Sequence, residues 1–206
     1  VRSLVAYLAS PVQTPLLATA DSAAGFFNGR DLSGWQGGAE LWRVEEGEIV
    51  GLTSGLDHNE FLCGELAAGD FRLTLKVKLA RNEGNSGIQF RSETVGEGEV
   101  KGYQADIGPG WWGKLYEEHG RALLWDRSGE AHVKPGEWNA YEIEAIGSRI
   151  RTSINGRTCV ELDDPDGARS GIFAFQLHSG GPTEVRFKEI KLELIAPPDA
   201  TAKAGE

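Results

Sequence analysis

Residues 70–80 read DFRLTLKVKLA. Phe71, Leu73, Leu75, Val77 and Leu79 fall on one side of an extended chain, and Arg72, Thr74, Lys76 and Lys78 on the other. A period of two over this length specifies a strand with one buried face and one wet face. The flanking sequence repeats the pattern. LWRVEEGEIVGLT (41–53) reads as a hairpin turning at Glu46-Gly47. YEIEAIGSRIRTSINGRTCVELDD (141–164) holds three strands, with turns at Gly147-Ser148 and at Asn155-Gly156, the latter a favoured two-residue hairpin turn. SGIFAFQLH (170–178) and VRFKEIKLELI (185–195) close the series. Closely spaced turn signals, with no long helical pattern between them, predict an all-β, two-sheet antiparallel sandwich.

The bulk numbers agree. A length of 206 residues suits one large sandwich, and 40% hydrophobic with 25% charged residues suits a chain with a real core. The 28 glycines, against 8 prolines, supply the tight turns that all-β folds need. A formal net charge of −10 argues against nucleic acid and against anionic membrane surfaces, both of which require a basic face. No apolar run approaches the about 20 residues that span a bilayer, so membrane insertion is not expected. Cys63 and Cys159 lack metal-type spacing, and one disulfide or two buried thiols both remain open.

Three zones separate: a leader or arm (1–24), the β-domain (25–195) and a Pro/Ala-rich tail (196–206), APPDATAKAGE, expected to be disordered. In the leader, Leu4, Val5 and Leu8 predict a short helical turn that Pro11 stops. The chain starts at Val1 and contains no methionine, so it reads as a processed or excised piece.

Strand parity selects candidate site residues. In GIQFRSE (87–93), Gln89 and Arg91 share a face opposite Ile88 and Phe90; in GYQADIG (102–108), Gln104 and Asp106 lie opposite Tyr103, Ala105 and Ile107. In GIFAFQLH (171–178), Gln176 and His178 lie opposite Phe173, Phe175 and Leu177. If those strands are neighbours, Arg91, Asp106 and His178 converge on one sheet face. GPGWWGKLYEEHGRALLWDR (108–127) adds Trp112, Lys114, Tyr116 and Glu117. Parity sets Trp112, Lys114, Tyr116 and Glu118 against Leu115 and Glu117, and Gly110 and Gly113 leave open which set faces the groove. Aromatic faces stack on the C–H faces of sugar rings, while amides and carboxylates take hydroxyls. Trp35, Trp42 and Trp138 are read as core anchors, His58, His119 and His132 as loop residues. Asp163, Asp164 and Asp166 are read as a plain acidic turn.

Eight segments in order carry a family resemblance: FFNGRDLSGW, WRVEEGEIVG, DFRLTLKVKL, NSGIQFR, GYQADIG, GKLYEE, GEWNAYEIEAIGSRIRTSINGR and SGIFAFQLHSGGPTEVRFKEIKL. Together they resemble the 3-keto-disaccharide hydrolase family of bacterial extracytoplasmic proteins over about residues 25–195. The leader's LVAYL (4–8) resembles, more weakly, the last helix of a c-type cytochrome domain, which would then lie upstream. The main resemblance implies a concanavalin A-like jelly roll with a concave sugar-binding face, here with a short N-terminal helical arm. It implies a periplasmic or secreted location and a 3-keto-glucoside as the carbohydrate partner; the oligomeric state is left open.

A ketone at sugar carbon 3 acidifies the hydrogen at carbon 2. A general base removes that hydrogen, the group at carbon 1 leaves by β-elimination, and water adds back to complete hydrolysis. The candidate catalytic residues are His178, Asp106, Glu117 and Lys114, with Arg91, Gln104, Trp112, Tyr116 and Gln176 binding substrate. His178, Asp106 or Glu117 is the base, and Lys114 or Arg91 holds the enolate oxygen. A divalent metal held by His178 and a carboxylate is the one candidate cofactor, and double-carboxylate chemistry by Asp106 and Glu117 is the other route. The competing reading is a non-catalytic carbohydrate-binding module of the same fold.

Overall fold

The computed structural model describes residues 14–96 and 98–196; the predicted helical turn around Leu4–Leu8 and nearly all of the tail lie outside them. Within this span the regular structure is almost entirely strand: β1 (Leu16–Leu17), β2 (Trp35–Gln36), β3 (Trp42–Glu45), β4 (Glu48–Thr53), β5 (Glu60–Ala68), β6 (Phe71–Leu79), β7 (Ser86–Val95), β8 (Glu99–Ile107), β9 (Leu115–Glu118), β10 (Ala122–Trp125), β11 (Asn139–Ile146), β12 (Arg149–Ile154), β13 (Arg157–Asp163), β14 (Gly171–Leu177) and β15 (Thr183–Leu194). The one α-helix among the described residues, α1 (Ala20–Ala24), starts at a Thr19–Ser22 capping box and seats Ala23 in the core. Among the described residues no helix is long and apolar enough to cross a membrane.

The strands form two sheets. One is eight-stranded, ordered β1-β5-β14-β7-β8-β9-β10 with β2 attached to β5; the other is seven-stranded, ordered β13-β12-β11-β6-β15-β4-β3. Pairing is antiparallel throughout except for the β1–β5 contact at the sheet edge. The decisive strand, β6, lies near the middle of the seven-stranded sheet and alternates buried and half-buried without a break. Its apolar side meets the inner face of the other sheet: Phe71 packs edge-on to Phe173, with ring centroids 4.8 Å apart. Phe187 of β15 stacks on Phe175 of β14 at 4.1 Å, and Trp35 also stacks on Phe175, at 5.2 Å. Such rings combine large burial with about 0.5–1.5 kcal/mol per favourable pair.

The predicted turns hold. Glu46-Gly47 and Asn155-Gly156 both take positive φ at each position, which matches the twist of the strands they join. Trp35 and Trp42 are buried core residues. Trp138 is not a core anchor. It is half-buried under the ammonium groups of Lys188 (4.0 Å) and Lys78 (5.0 Å), because it precedes β11 rather than sitting on an inward position. Cys63 and Cys159 are both free thiols.

Candidate active site

With Phe173, Phe175, Leu177, Ile88, Phe90, Tyr103, Ala105, Ile107 and Leu115 turned inward, the alternate residues of β14, β7, β8 and β9 project from the outer face of the eight-stranded sheet. The register brings them into one patch. Gly87 stands opposite both Gln176 and Asp106, Gln89 opposite Gln104, and Gln104 opposite Tyr116. These polar side chains are as buried as the core: relative exposure is 0% for Gln89 and Gln176, 3% for Gln104 and 2% for Asp106. Gly87 makes this possible, since a Cβ there would come within 2.4 Å of the Gln104 side chain lying across it.

Asp106 is the chemical centre of the patch. Gln104 Nε2 donates to its Oδ1 at 2.8 Å, while Oδ2 is buried with no partner. Burial pushes its carboxyl up to about 7; Glu118 adds to the rise, and the Gln104 bond and Lys114 oppose it. Glu118 projects from the same face of β9 as Tyr116, opposite Gly102. Its carboxyl is likewise raised, chiefly by burial and also by Glu99, against the fields of His119 and His178. The Gln176 amide also favours ionised Glu118, although no hydrogen bond of full geometry reaches either of its polar atoms.

His178 follows β14 on the patch side. Its Nδ1 lies 2.7 Å from the carbonyl of Ser179. A carbonyl only accepts, so Nδ1 carries the proton and Nε2 offers a lone pair in the neutral ring. Lys114 sits at the rim, 2.7 Å from Asp126 Oδ1, with its ammonium 5.3 Å from the Trp111 ring. Trp111 in turn meets Tyr116 edge-on at 6.4 Å. The rim therefore carries an exposed aromatic surface next to a cation. Among the described residues no three His, Cys, Asp or Glu side chains gather as a metal-binding set.

The structure thus brings together Asp106, Gln104, Gln176 and His178, which parity sets on matching faces of their strands, and adds Tyr116 and Lys114 from the set whose face the sequence leaves open. Three candidates lie elsewhere. Arg91 sits in a bulge, where β7 loses register with both neighbours and its φ is +47°. The bulge turns the side chain to the end of the sandwich. There it donates to Gly69 O, Gly147 O, Ala168 O and Asp70 Oδ1 at 2.7–3.3 Å, tying three loops together. Glu117 stands opposite inward-facing Tyr103 and is gripped by Arg121, which also binds Asp164. Arg121 holds the Glu117 carboxyl below its ordinary range, so it is a poor base. The same grip closes the acidic turn, where Tyr103 also donates to Asp164. Trp112 is 1% exposed in the core and donates to Asn82, whereas Trp111 is 39% exposed. The loop at Gly108, Gly110 and Gly113, all at positive φ, interrupts strand parity and exchanges the two tryptophans.

Two hollows lie beside the patch rather than on it. One of about 360 Å³ is lined by Leu124, Trp125, Asp126 and Arg127, next to Lys114 through Asp126. The other, of about 320 Å³, lies among Arg91, Ser92, Lys101, Gly102, Glu117 and Asp166.

A family model described as a 3-keto-alpha-glucoside-1,2-lyase-like domain matches residues 23–193. No curated protein matches the sequence. Among solved structures, a proposed glycosyl hydrolase from Parabacteroides distasonis aligns with a TM-score of 0.64 at 18% identity, covering 87% of this chain and 98% of that one. The carbohydrate-binding module CBM66 from Bacillus subtilis aligns at 0.61 with 17% identity, covering 78% of this chain and 95% of that one. A Bacillus subtilis protein with a galectin-like fold aligns at 0.60 with 11% identity, covering 81% and 92%. At these identities the structural likenesses speak to the sandwich alone.

Proposed function

The chain belongs to the family of 3-keto-alpha-glucoside-1,2-lyase-like domains, and from that premise we propose that it cleaves 3-keto-glucosides on the outer face of the eight-stranded sheet. The observation that carries this reading is Asp106: a buried carboxyl with one unpartnered oxygen and a pKa moved up to about 7. A base poised near neutrality combines a usable ionised fraction with a strong pull on a carbon acid. A module that only binds sugar gains nothing from such a group and loses stability by keeping it.

In this reaction Asp106 takes the hydrogen from carbon 2, and the electrons of that C–H bond move toward the carbon 3 oxygen as an enolate. Lys114 stands at the rim as the cation for that oxygen. Collapse of the enolate restores the ketone, forms the carbon 1–carbon 2 double bond and expels the group at carbon 1. Glu118, whose carboxyl is raised from its ordinary value chiefly by burial, hands that leaving oxygen a proton. Water then adds across the double bond: its oxygen bonds carbon 1, His178 Nε2 accepts its proton, and Asp106 returns the hydrogen it took to carbon 2, which gives net hydrolysis. Trp111 and Tyr116 form the surface on which a sugar ring stacks.

The test is incubation with a 3-keto-glucoside and with the same glucoside unoxidised, following aglycone release. Release from the keto-sugar alone supports the proposal. Binding of both sugars without release supports the carbohydrate-binding reading, with which the CBM66 likeness accords.

A further inference from the structure

Gln104 is not the end of the hydrogen-bonded chain that reaches Asp106. Its Oε1 accepts from Gln89 Nε2 at 2.8 Å, and Gln89 Oε1 accepts from Ser92 Oγ at 2.9 Å. Ser92, Gln89, Gln104 and Asp106 are all buried, with Ser92 at the end that borders the hollow beside Arg91. Each link fixes the next: an amide whose oxygen is held must present its N–H₂ the other way. With Ser92 as first donor, every amide points its hydrogens toward Asp106.

Polarity here depends on one proton. Ser92 Oγ also lies 3.0 Å from the carbonyl of Phe90. A hydroxyl has a single hydrogen, so giving it to Phe90 leaves Ser92 as an acceptor. Gln89 would then turn its N–H₂ to Ser92, and Gln104 would offer its carbonyl oxygen to Asp106, a partner that only a protonated carboxyl can use. The bulge after Phe90 sets this start point, because it brings Ser92 over Gly102, where a Cβ would come within 2.3 Å of its Oγ.

We infer that Ser92 and Gln89, which connect to Asp106 only through Gln104, are positioning residues whose relay fixes the orientation of the Gln104 amide and thereby which oxygen of Asp106 faces the site. The inference rests on the reading of Asp106 as the base, but its test does not require turnover.

The experiment is a carboxyl ¹³C NMR titration of Asp106 in the full chain, in wild type, Ser92→Ala, Gln104→Met and the double variant. Ser92→Ala removes only one oxygen and adds no charge. With the relay intact downstream, it should raise the Asp106 midpoint by about half to one pH unit, a fraction of a charge-assisted bond. Gln104→Met should raise it by about one to two units, the full bond. In the double variant the Ser92 effect should vanish, because the only route to Asp106 has been cut. A Ser92→Ala shift that persists in the Gln104→Met background, or no Ser92→Ala shift in the otherwise wild-type chain, overturns the relay. Gln89→Met, close in size to glutamine, repeats the test from the middle of the chain and should behave as Ser92→Ala does. Coupled shifts in a protein that leaves keto-glucosides intact would uphold the relay and overturn the proposed reaction.

Discussion

Replacing Asp106 by Asn tests the site through folding alone. A carboxyl at 3.8 in the unfolded chain and at about 7 in the folded one makes the folded state bind more protons between those values. Stability therefore falls as pH rises through that window. Below about pH 4 both states are protonated and the burial costs nothing. Above about pH 7 both are ionised and the full cost is present, about 4 kcal/mol at about 1.4 kcal/mol per pH unit. Asn carries no charge at any pH, and Gln104 can still donate to its side-chain oxygen. The free energy of unfolding, measured by urea titration from pH 4 to pH 8, should thus fall more steeply in wild type than in Asp106→Asn. The difference between the two should change by about 3–4 kcal/mol across the range, in favour of the variant at high pH. Asp164 and Asp31, both held at about 2, and Glu117, also lowered, are common to both proteins and cancel. Parallel pH profiles for the two proteins would refute the buried carboxylate, and with it the base at neutral pH.

Two further contrasts separate catalysis from architecture. Glu118→Gln should lower kcat on a 3-keto-glucoside by about 10²–10⁴-fold, the range for a general acid, while Glu117→Gln should change kcat little and shift the urea midpoint instead, because it frees Arg121 from half of its grip. Trp111→Ala should raise KM with the fold intact, since it removes an exposed ring beside Lys114; Trp112→Ala should cost about 3–5 kcal/mol of stability without a specific effect on KM in whatever remains folded. Equal effects of the two glutamates, or of the two tryptophans, would show that the face has been assigned with the wrong parity.

How far the sequence reveals all this depends on where strand parity survives. In β6, β8 and β14 the alternation runs unbroken through the polar residues, so Gln104, Asp106 and Gln176 were legible as one face before any coordinates. Parity fails at insertions, and each failure has a local cause. One extra residue after Phe90 sends Arg91 to the end of the sandwich and brings Ser92 to the patch in its place. The glycine-rich loop before β9 exchanges Trp111 for Trp112. Glu117 and Glu118 differ by one position, and the β8–β9 register decides between them: Tyr116 opposite Gln104 places Glu118, two residues on, over the patch and turns Glu117 away. What no spacing rule supplies is burial on an outer face. It arises because Gly87 and Gly102 lack side chains and let Gln104 and Ser92 lie flat across the strands.

That flat packing gives a physical reason to regard the patch as a site rather than a decorated surface. Polar atoms on the open side of a sheet normally reach water; here Asp106 Oδ2 is enclosed and unpartnered, and the Gln176 amide has Glu118 as its electrostatic neighbour. A buried polar atom left without a partner costs about 1–3 kcal/mol, more when charged. A ligand group that both donates and accepts, and that fits against a sheet beside an aromatic rim, would relieve that cost. Sugar hydroxyls meet that description, and the ionisable neighbours Glu118, Lys114 and His178 add what simple adhesion does not use. If a bound sugar left Asp106 Oδ2 and the Gln176 amide untouched, with its contacts confined to Trp111 and Tyr116, the energetic case for catalysis at this face would fail while the case for sugar binding would stand.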